Sequence, residues 1–413
     1  MTQRFGRWML AVALAACSDL GDDREPIRLG VVSPLTGDLS PAGHTQQDAL
    51  LLAISEINAA GGVLGRPIVP DTRDDGTTPG GTVVAYTRLL TEEVPVVIGP
   101  VWSGGVRVIA EQIRRGGTLT ISDSATAPDL AELDDDGYFF RTVPSDAVQA
   151  IVLTSKIVAS GCQRLCVVYR NDEYGNGLSR AVQSRLQGAV AVVESSYNPA
   201  AASLSDVMNR CDAIVKEPGA GAIFITYQSD GTVILRDAAA RGWSAATHPI
   251  FFVDGNARQE LWDELADVTA FEGAIGTGPS GPTPQTSAGV RRGAFRERFL
   301  ARYKRQAATY AENAYDTAYL AALAIEIAGS VKDRDAIRAA MGQTSTGPAI
   351  DAGDWKDALV TIATHGQVDF RGASGEVNLD PTTGELLPPF YVRLWTLKNG
   401  RMVDTDIVTV THE

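Results

Sequence analysis

Val96-Val97-Ile98-Gly99-Pro100-Val101-Trp102-Ser103-Gly104-Gly105 is a short β-branched run that stops at Gly-Pro and opens into the amphipathic stretch Val106 to Arg115. Such a run reads as a buried strand, the Gly and Pro as its end, and the stretch after it as a helix. The same unit recurs along the chain. Apolar runs at Ile27 to Val32, Leu119 to Ile121, Leu165 to Tyr169, Val190 to Val193, Ala222 to Thr226 and Ile250 to Val253 alternate with helical patterns. In one of these patterns Leu50, Ala53, Ile54 and Ile57 share a face; in another Leu178, Ala181, Val182 and Leu186 do. Strands apolar on both faces are parallel strands covered by helices on each side, so the fold class is doubly wound α/β. Gly61-Gly62 supplies the left-handed residue that ends the first long helix.

These units fall into two groups, Ile27 to about Arg141 and about Asp146 to Gly273. Between them, Arg141-Thr142-Val143-Pro144-Ser145-Asp146 reads as a crossover, with Pro144 breaking regular structure and Ser145 capping the next helix. Gly276 to Gly289 is a second candidate linker. Beyond it lie two helical patterns, Arg291 to Lys304 and Tyr310 to Ala328, and from Val368 on strand-like alternation returns. Two lobes joined by several crossings place a ligand cleft between them.

The chain has 413 residues, 44% of them hydrophobic, and a formal net charge of −14 from 50 acidic and 36 basic residues. That charge repels phosphate backbones, so nucleic acid is not an expected partner. Asp134-Asp135-Asp136-Gly137 reads as a solvated turn. The scattered His44, His248, His365 and His412 and the unpaired cysteine spacing give no metal site, and no cofactor motif is present. The Gly-x-x-x-x-Gly-Lys-Ser/Thr, Gly-x-Ser-x-Gly and His-Glu-x-x-His signatures are absent as well, which argues against an enzyme.

At the start of the chain Arg4 and Arg7 precede the short apolar run Trp8 to Ala16, closed by Leu14-Ala15-Ala16-Cys17. This resembles the leader of bacterial lipoproteins. It implies a signal peptide over 1–16, lipid on Cys17, a tether over 17–26, and a protein held outside the cytoplasm at the periplasmic or cell surface. With Cys17 assigned to lipid, Cys162, Cys166 and Cys211 remain where disulfides can form. Cys166 lies within a strand run, as a buried thiol would, so the expected bridge joins Cys162 to Cys211.

Two turns carry the candidate chemistry. Ser103 stands at a helix start, where it either caps its own helix or meets a ligand anion, and Gly104-Gly105 would let a ligand approach the backbone N–H groups. Ser122-Asp123-Ser124-Ala125-Thr126-Ala127-Pro128 offers hydroxyls at the carboxyl end of the next strand, where open α/β sheets bind ligands.

The ordered set Ile27 to Gly37, Glu56-Ile57-Asn58-Ala59-Ala60-Gly61-Gly62, Val97-Ile98-Gly99-Pro100, Ala125-Thr126-Ala127-Pro128, Asn171-Asp172-Glu173-Tyr174-Gly175 and Gly372-Ala373-Ser374-Gly375-Glu376-Val377 resembles the type I periplasmic binding proteins of branched-chain amino acid ABC transporters. The resemblance implies two lobes, 27–144 with 278–376 and 145–277 with 377–413, joined by a three-crossing hinge. It implies a monomer that closes on a small amino acid-like ligand and delivers it to a membrane permease. Ser103, Ser124, Ala125 and Thr126 then match the carboxylate site, Tyr174 and Tyr227 the aromatic cover, and Asp254 the ammonium partner. Tyr310 matches an aromatic at the cleft mouth, with core packing the other reading. Trp102 stands where a smaller residue is expected; it either narrows the side-chain pocket, stacks on a planar ligand, or packs under its own loop. A cleft for an amide, urea, aromatic acid or short peptide, and a tethered sensor in place of a transport component, remain the alternatives.

Overall fold

The structure, a computed structural model, describes residues 25–201, 204 and 206–412. The leader, Cys17 and most of the tether lie outside the described residues. The first sheet is built from β1 (Ile27–Ser33), β2 (Ile68–Asp74), β3 (Val96–Ile98), β4 (Leu119–Ser122) and β5 (Phe139–Arg141) in the order β2-β1-β3-β4-β5, all parallel. Helices α1 (Ser40–Ala59), α2 (Pro79–Thr91) and α3 (Ser103–Gly116) connect its strands. The second group runs α4 (Asp146–Ala159), β6 (Arg164–Arg170), α5 (Glu173–Leu186), β7 (Ala191–Tyr197), α6 (Asn209–Val215), β8 (Ala220–Ile225), α7 (Gln228–Ala240), β9 (Ile250–Phe252), α8 (Gln259–Glu264) and β10 (Ile275–Pro279). The chain continues through α9 (Ser287–Tyr303), α10 (Ala311–Ala328), α11 (Arg334–Ala340), β11 (Ala349–Asp351), α12 (Trp355–His365) and β12 (Asp369–Arg371) to β13 (Phe390–Lys398) and β14 (Arg401–Val410).

The second sheet has the order β14-β13-β10-β9-β8-β6-β7, with β13 and β14 added antiparallel at one edge. Every residue of β8 is buried, as a central parallel strand covered on both faces requires. The chain passes between the two sheets three times: between β5 and α4, between β10 and α9, and between β12 and β13. α10 packs along α1 beneath the first sheet, and fourteen of its 18 residues are buried. Its alanines let the backbones approach closely, and a helix apolar on all sides is stable only when enclosed in this way. The third passage begins where the buried Asp316 of α10 accepts hydrogen bonds from the Ala373 and Ser374 N–H groups, both at 2.7 Å. A Cβ on Gly372 would stand 2.3 Å from that carboxylate, so this position must be glycine.

Three sequence expectations change. β2 is not apparent from sequence because it is an edge strand whose Asp71, Thr72 and Arg73 are only partly covered. Gly276 to Pro279 is not linker but part of β10, and its glycine has a packing reason: a Cβ on Gly276 would lie 2.0 Å from the Trp395 ring that covers it. The connecting segment therefore starts at Ser280. The disulfide joins Cys166 to Cys211, with Cα atoms 5.7 Å apart, and Cys162 is a buried free thiol. Strand alternation explains the correction. Cys166 and Val168 face the side of the sheet covered by α6, which carries Cys211, whereas Cys162 packs with Leu165 and Val167 on the opposite side.

The bridge spans 45 residues. Replacing Cys166 and Cys211 together by Ala is expected to lower unfolding stability by about 2–4 kcal/mol, measured by urea denaturation. Alkylation of unfolded, unreduced protein starting at Ser18 should label Cys162 alone; labelling of Cys166 or Cys211 would contradict the pairing.

Candidate functional site

The carboxyl ends of β3 and β4 in the first sheet face those of β6, β8 and β9 in the second across a small cavity. Residues of both groups line it, and all the sequence-derived site residues reach it except Ala125. Ala125 is buried beneath the wall; its carbonyl and that of Ala127 accept from Arg141 Nη1 at 3.0 and 2.9 Å. Arg141 is fully buried and pairs with Glu385 in the third passage, Nε to Oε1 at 2.8 Å. The crossover arginine thus fixes the backbone of the threonine turn, a role its position in the sequence does not reveal.

Ser103 is the first residue of α3 rather than its cap; the capping position is Trp102, in extended conformation. The Ser103 hydroxyl oxygen accepts from the Ala127 N–H at 3.1 Å, which links the two turns and leaves its hydrogen uncommitted among the described residues. Ser124 is different. Its hydroxyl donates to the Val101 carbonyl at 2.7 Å and accepts from Gln46 Nε2 at 2.8 Å, so its proton is already used. Gln46 is buried, lines the cavity and went unnoticed in the sequence, where it is one polar residue on a long helix. Thr126 contributes a side chain beside the Asp146 carboxyl, and its carbonyl accepts the Asp146 N–H at 2.8 Å.

Trp102 lines the cavity and also folds back over its own helix. Its indole N–H donates to Asp75 Oδ2 at 2.9 Å. Burial pushes the Asp75 carboxyl above its ordinary range, against the indole bond that favours its charge. A Cβ at Gly104 would approach the indole ring to 2.4 Å, and one at Gly105 to 2.7 Å. These glycines accommodate Trp102, a packing role beside the expected one of opening the helix terminus to a ligand.

On the opposite wall Asp254 stands in the short turn after β9. Its Oδ1 accepts from the Tyr174 hydroxyl at 2.7 Å and its Oδ2 from the Tyr310 hydroxyl at 2.6 Å. Gln149, with its amide turned to satisfy its neighbours, donates to Oδ1 at 3.2 Å and accepts from the Asp254 N–H at 3.2 Å. Tyr174 and Tyr227 stack at 5.3 Å between centroids, and the Arg170 guanidinium lies 3.7 Å from the Tyr227 centroid. Arg170 is held in turn by Asp172 at 2.6 Å and Asp230 at 2.9 Å, so the aromatic wall is a stack clamped from behind. Tyr310 has φ 71°, an unfavourable conformation for a tyrosine, and its contact with Asp254 is what holds it there.

Asp146, the first residue of α4, is the acid that sequence reading treated only as a helix start. It is buried beside Asp254. Burial first, and the neighbouring Asp254 charge second, push its carboxyl well above the ordinary range. The site pairs the uncommitted Ser103 hydroxyl on one wall with the hydrogen-bonded Asp254 carboxyl on the other, an arrangement that suits a zwitterion.

The family model described as periplasmic binding protein matches residues 26–395. The chain is 28% identical over 318 residues to the Leu/Ile/Val-binding protein BraC3 of Rhizobium johnstonii, covering 76% of this chain and 83% of that one. It is 27% identical over 382 residues to BasB, the substrate-binding protein of a chemotactic signal transduction system in Halobacterium salinarum, covering 88% and 86%. Among solved structures, the branched-chain amino acid transporter substrate-binding protein LivJ of Streptococcus pneumoniae, in complex with isoleucine, superposes with a TM-score of 0.75 at 20% identity, covering 94% of this chain and 100% of that one. The fold and the sequence matches define a solute-binding protein. The chain belongs to the periplasmic binding protein family, and its fold is that of the type I group.

The two serines should separate by experiment. Ser103→Ala is expected to weaken a carboxylate-bearing ligand about ten- to hundredfold, since a hydrogen bond to a charged group contributes about 1.5–3 kcal/mol, and to lower stability by about 1 kcal/mol, since the Ala127 N–H loses its acceptor. Ser124→Ala should lower stability by a similar amount with little change in affinity. Calorimetry and thermal unfolding on both variants test this, and the reverse pattern would exchange their roles.

Proposed function

We propose that this protein is an extracytoplasmic solute receptor of an ABC importer, tethered through lipid on Cys17, which binds an amino acid-like ligand by closing its two lobes. The observation that carries the reading is Asp254, held by two tyrosines and facing Ser103 and Thr126 across one cavity. A ligand carboxylate would take the Ser103 and Thr126 hydroxyls, and its ammonium would meet Asp254 beneath the Tyr174 and Tyr227 rings. The lobes, 27–144 with 278–376 and 145–277 with 377–413, would open about the three passages, and a permease would read the closed form. Family membership supports a binding rather than a catalytic role and an extracytoplasmic location. Among the described residues no helix is long and apolar enough to cross a membrane, so a tether has to come from elsewhere in the chain.

A sensor that signals to a partner protein is the second reading, favoured by the similarity to the chemotactic substrate-binding protein. Ligand-stimulated ATP hydrolysis by a reconstituted permease complex would establish transport, whereas ligand-dependent capture of a signalling protein without such stimulation would establish sensing.

A thermal-shift screen of protein starting at Ser18 against amino acids, amides and aromatic acids tests the ligand class. A ligand at about 100 times its Kd stabilises the native state by roughly 2.7 kcal/mol. Asp254→Asn should lower affinity for an amino acid by about 2–3 kcal/mol in calorimetry and leave an uncharged amide nearly unaffected. Equal losses for both would remove Asp254 as the ammonium partner. In cells, Cys17→Ala should release the protein from the membrane fraction.

A further inference from the structure

Behind Tyr310 the cavity adjoins a second chamber of ≈ 270 Å³, and Arg258 and Tyr310 line both spaces. The chamber wall carries four arginines, Arg258, Arg292, Arg296 and Arg393, against three acids, Glu260, Glu312 and Asp404, which leaves an excess of one positive charge. In a chain of net charge −14 this local excess runs against the composition.

The pairing within the chamber shows where the excess lies. Arg292 and Arg296 both bind Glu312 Oε1, at 2.9 and 2.6 Å. Despite burial, which opposes it, their charges hold the Glu312 carboxyl at about 2. Arg393 bonds Asp404 at 3.3 Å and Thr309 at 2.8 Å, but its Nε is buried without a partner. The Ser280 hydroxyl, on the same wall, is also buried and unpartnered. Arg258 makes no ion pair and no side-chain hydrogen bond among the described residues, and Glu260 beside it is solvent-exposed. Burial pulls the Arg258 guanidinium below the ordinary arginine range, and the charges of Glu260, Tyr310 and Asp254 only partly offset this. A half-buried guanidinium without a counter-ion is unfavourable, and it lines a chamber whose charges together leave one positive charge in excess.

We propose that the chamber behind Tyr310 is an anion subsite centred on Arg258 and that it takes a carboxylate. The planar fork of Arg258 suits bidentate carboxylate recognition. Two sources share this chemistry: the side-chain carboxylate of an amino acid seated in the main cavity, or a separate small carboxylate. The proposal rests on the reading of the main cavity as the solute site only for the first source.

Calorimetry on protein starting at Ser18 tests it with L-leucine, L-glutamate, its neutral isostere L-glutamine, and glutarate alone or after leucine. If the cavity ligand supplies the carboxylate, glutamate binds at least tenfold more tightly than glutamine, and Arg258→Met brings that ratio near one while leucine stays within threefold. If the anion is separate, glutarate binds with or without leucine and loses at least tenfold in Arg258→Met. Arg258→Lys, which keeps the charge but not the planar fork, should reduce the same quantity severalfold. An acid-to-amide ratio near one together with no glutarate binding overturns the proposal. So does an Arg258→Met variant that shifts leucine, glutamate and glutamine equally, because Arg258 would then be only a counter-charge for Asp254. Failure of every amino acid to bind would count against the main-cavity reading alone, and the glutarate arm would still decide the subsite.

Discussion

Asp254 is the point through which the two halves of the molecule are joined at the site. Its carboxylate accepts from Tyr174, at the start of α5 in the second group, and from Tyr310, which leads into α10 beneath the first sheet. A single side chain therefore links the carboxyl end of the second sheet to the helix packed against α1. The buried carboxylate needs these donors because an enclosed charge without hydrogen bonds is strongly disfavoured. The Asp254 carboxyl, as acceptor, in turn holds Tyr310 in a left-handed conformation that the backbone alone would not keep. Around this link the walls meet again where Arg107 of α3 pairs with Glu173 of α5 at 2.8 Å.

The first wall depends on connections of a different kind. Ser103 is tied to Ala127, Ser124 to Val101 and Gln46, and Arg141 to the carbonyls of Ala125 and Ala127. Most polar groups of this wall are occupied by one another. The few that are not, chiefly the Ser103 hydrogen, are the groups available to a ligand, already aimed by a rigid network that needs little reorganisation. Trp102 belongs to the same logic: its bond to Asp75 anchors a large ring over two glycines and sets the floor of the cavity. The side chain thus both lines the cavity and packs over its own helix.

Much of the fold was legible in the sequence because it rests on patterns that short segments carry. Apolar runs marked β1, β3, β4, β6, β8 and β9, since strands buried on both faces leave no polar positions. β2 lacked that signal because an edge strand is half exposed, and β10 was obscured because Gly276 serves a distant Trp395 ring. Among the site residues, Ser103, Thr126, Tyr174, Tyr227 and Asp254 stand at the ends of strands or at helix starts, where an α/β sheet presents its ligand groups, and a known family pattern marked them.

The sequence by itself determined the alternation of strands and helices, the two groups, and which turns hold hydroxyls, tyrosines and an acid. Only the tertiary structure decided which of these groups are free. It placed Cys166 rather than Cys162 against Cys211, used the Ser124 proton on Val101, set Asp146 beside Asp254, and left Arg258 without a partner. The physical reason is that strand and helix periodicity are local properties of the chain. Hydrogen-bond satisfaction and charge pairing depend instead on neighbours brought together from tens of residues away or more, and no short stretch of sequence contains them.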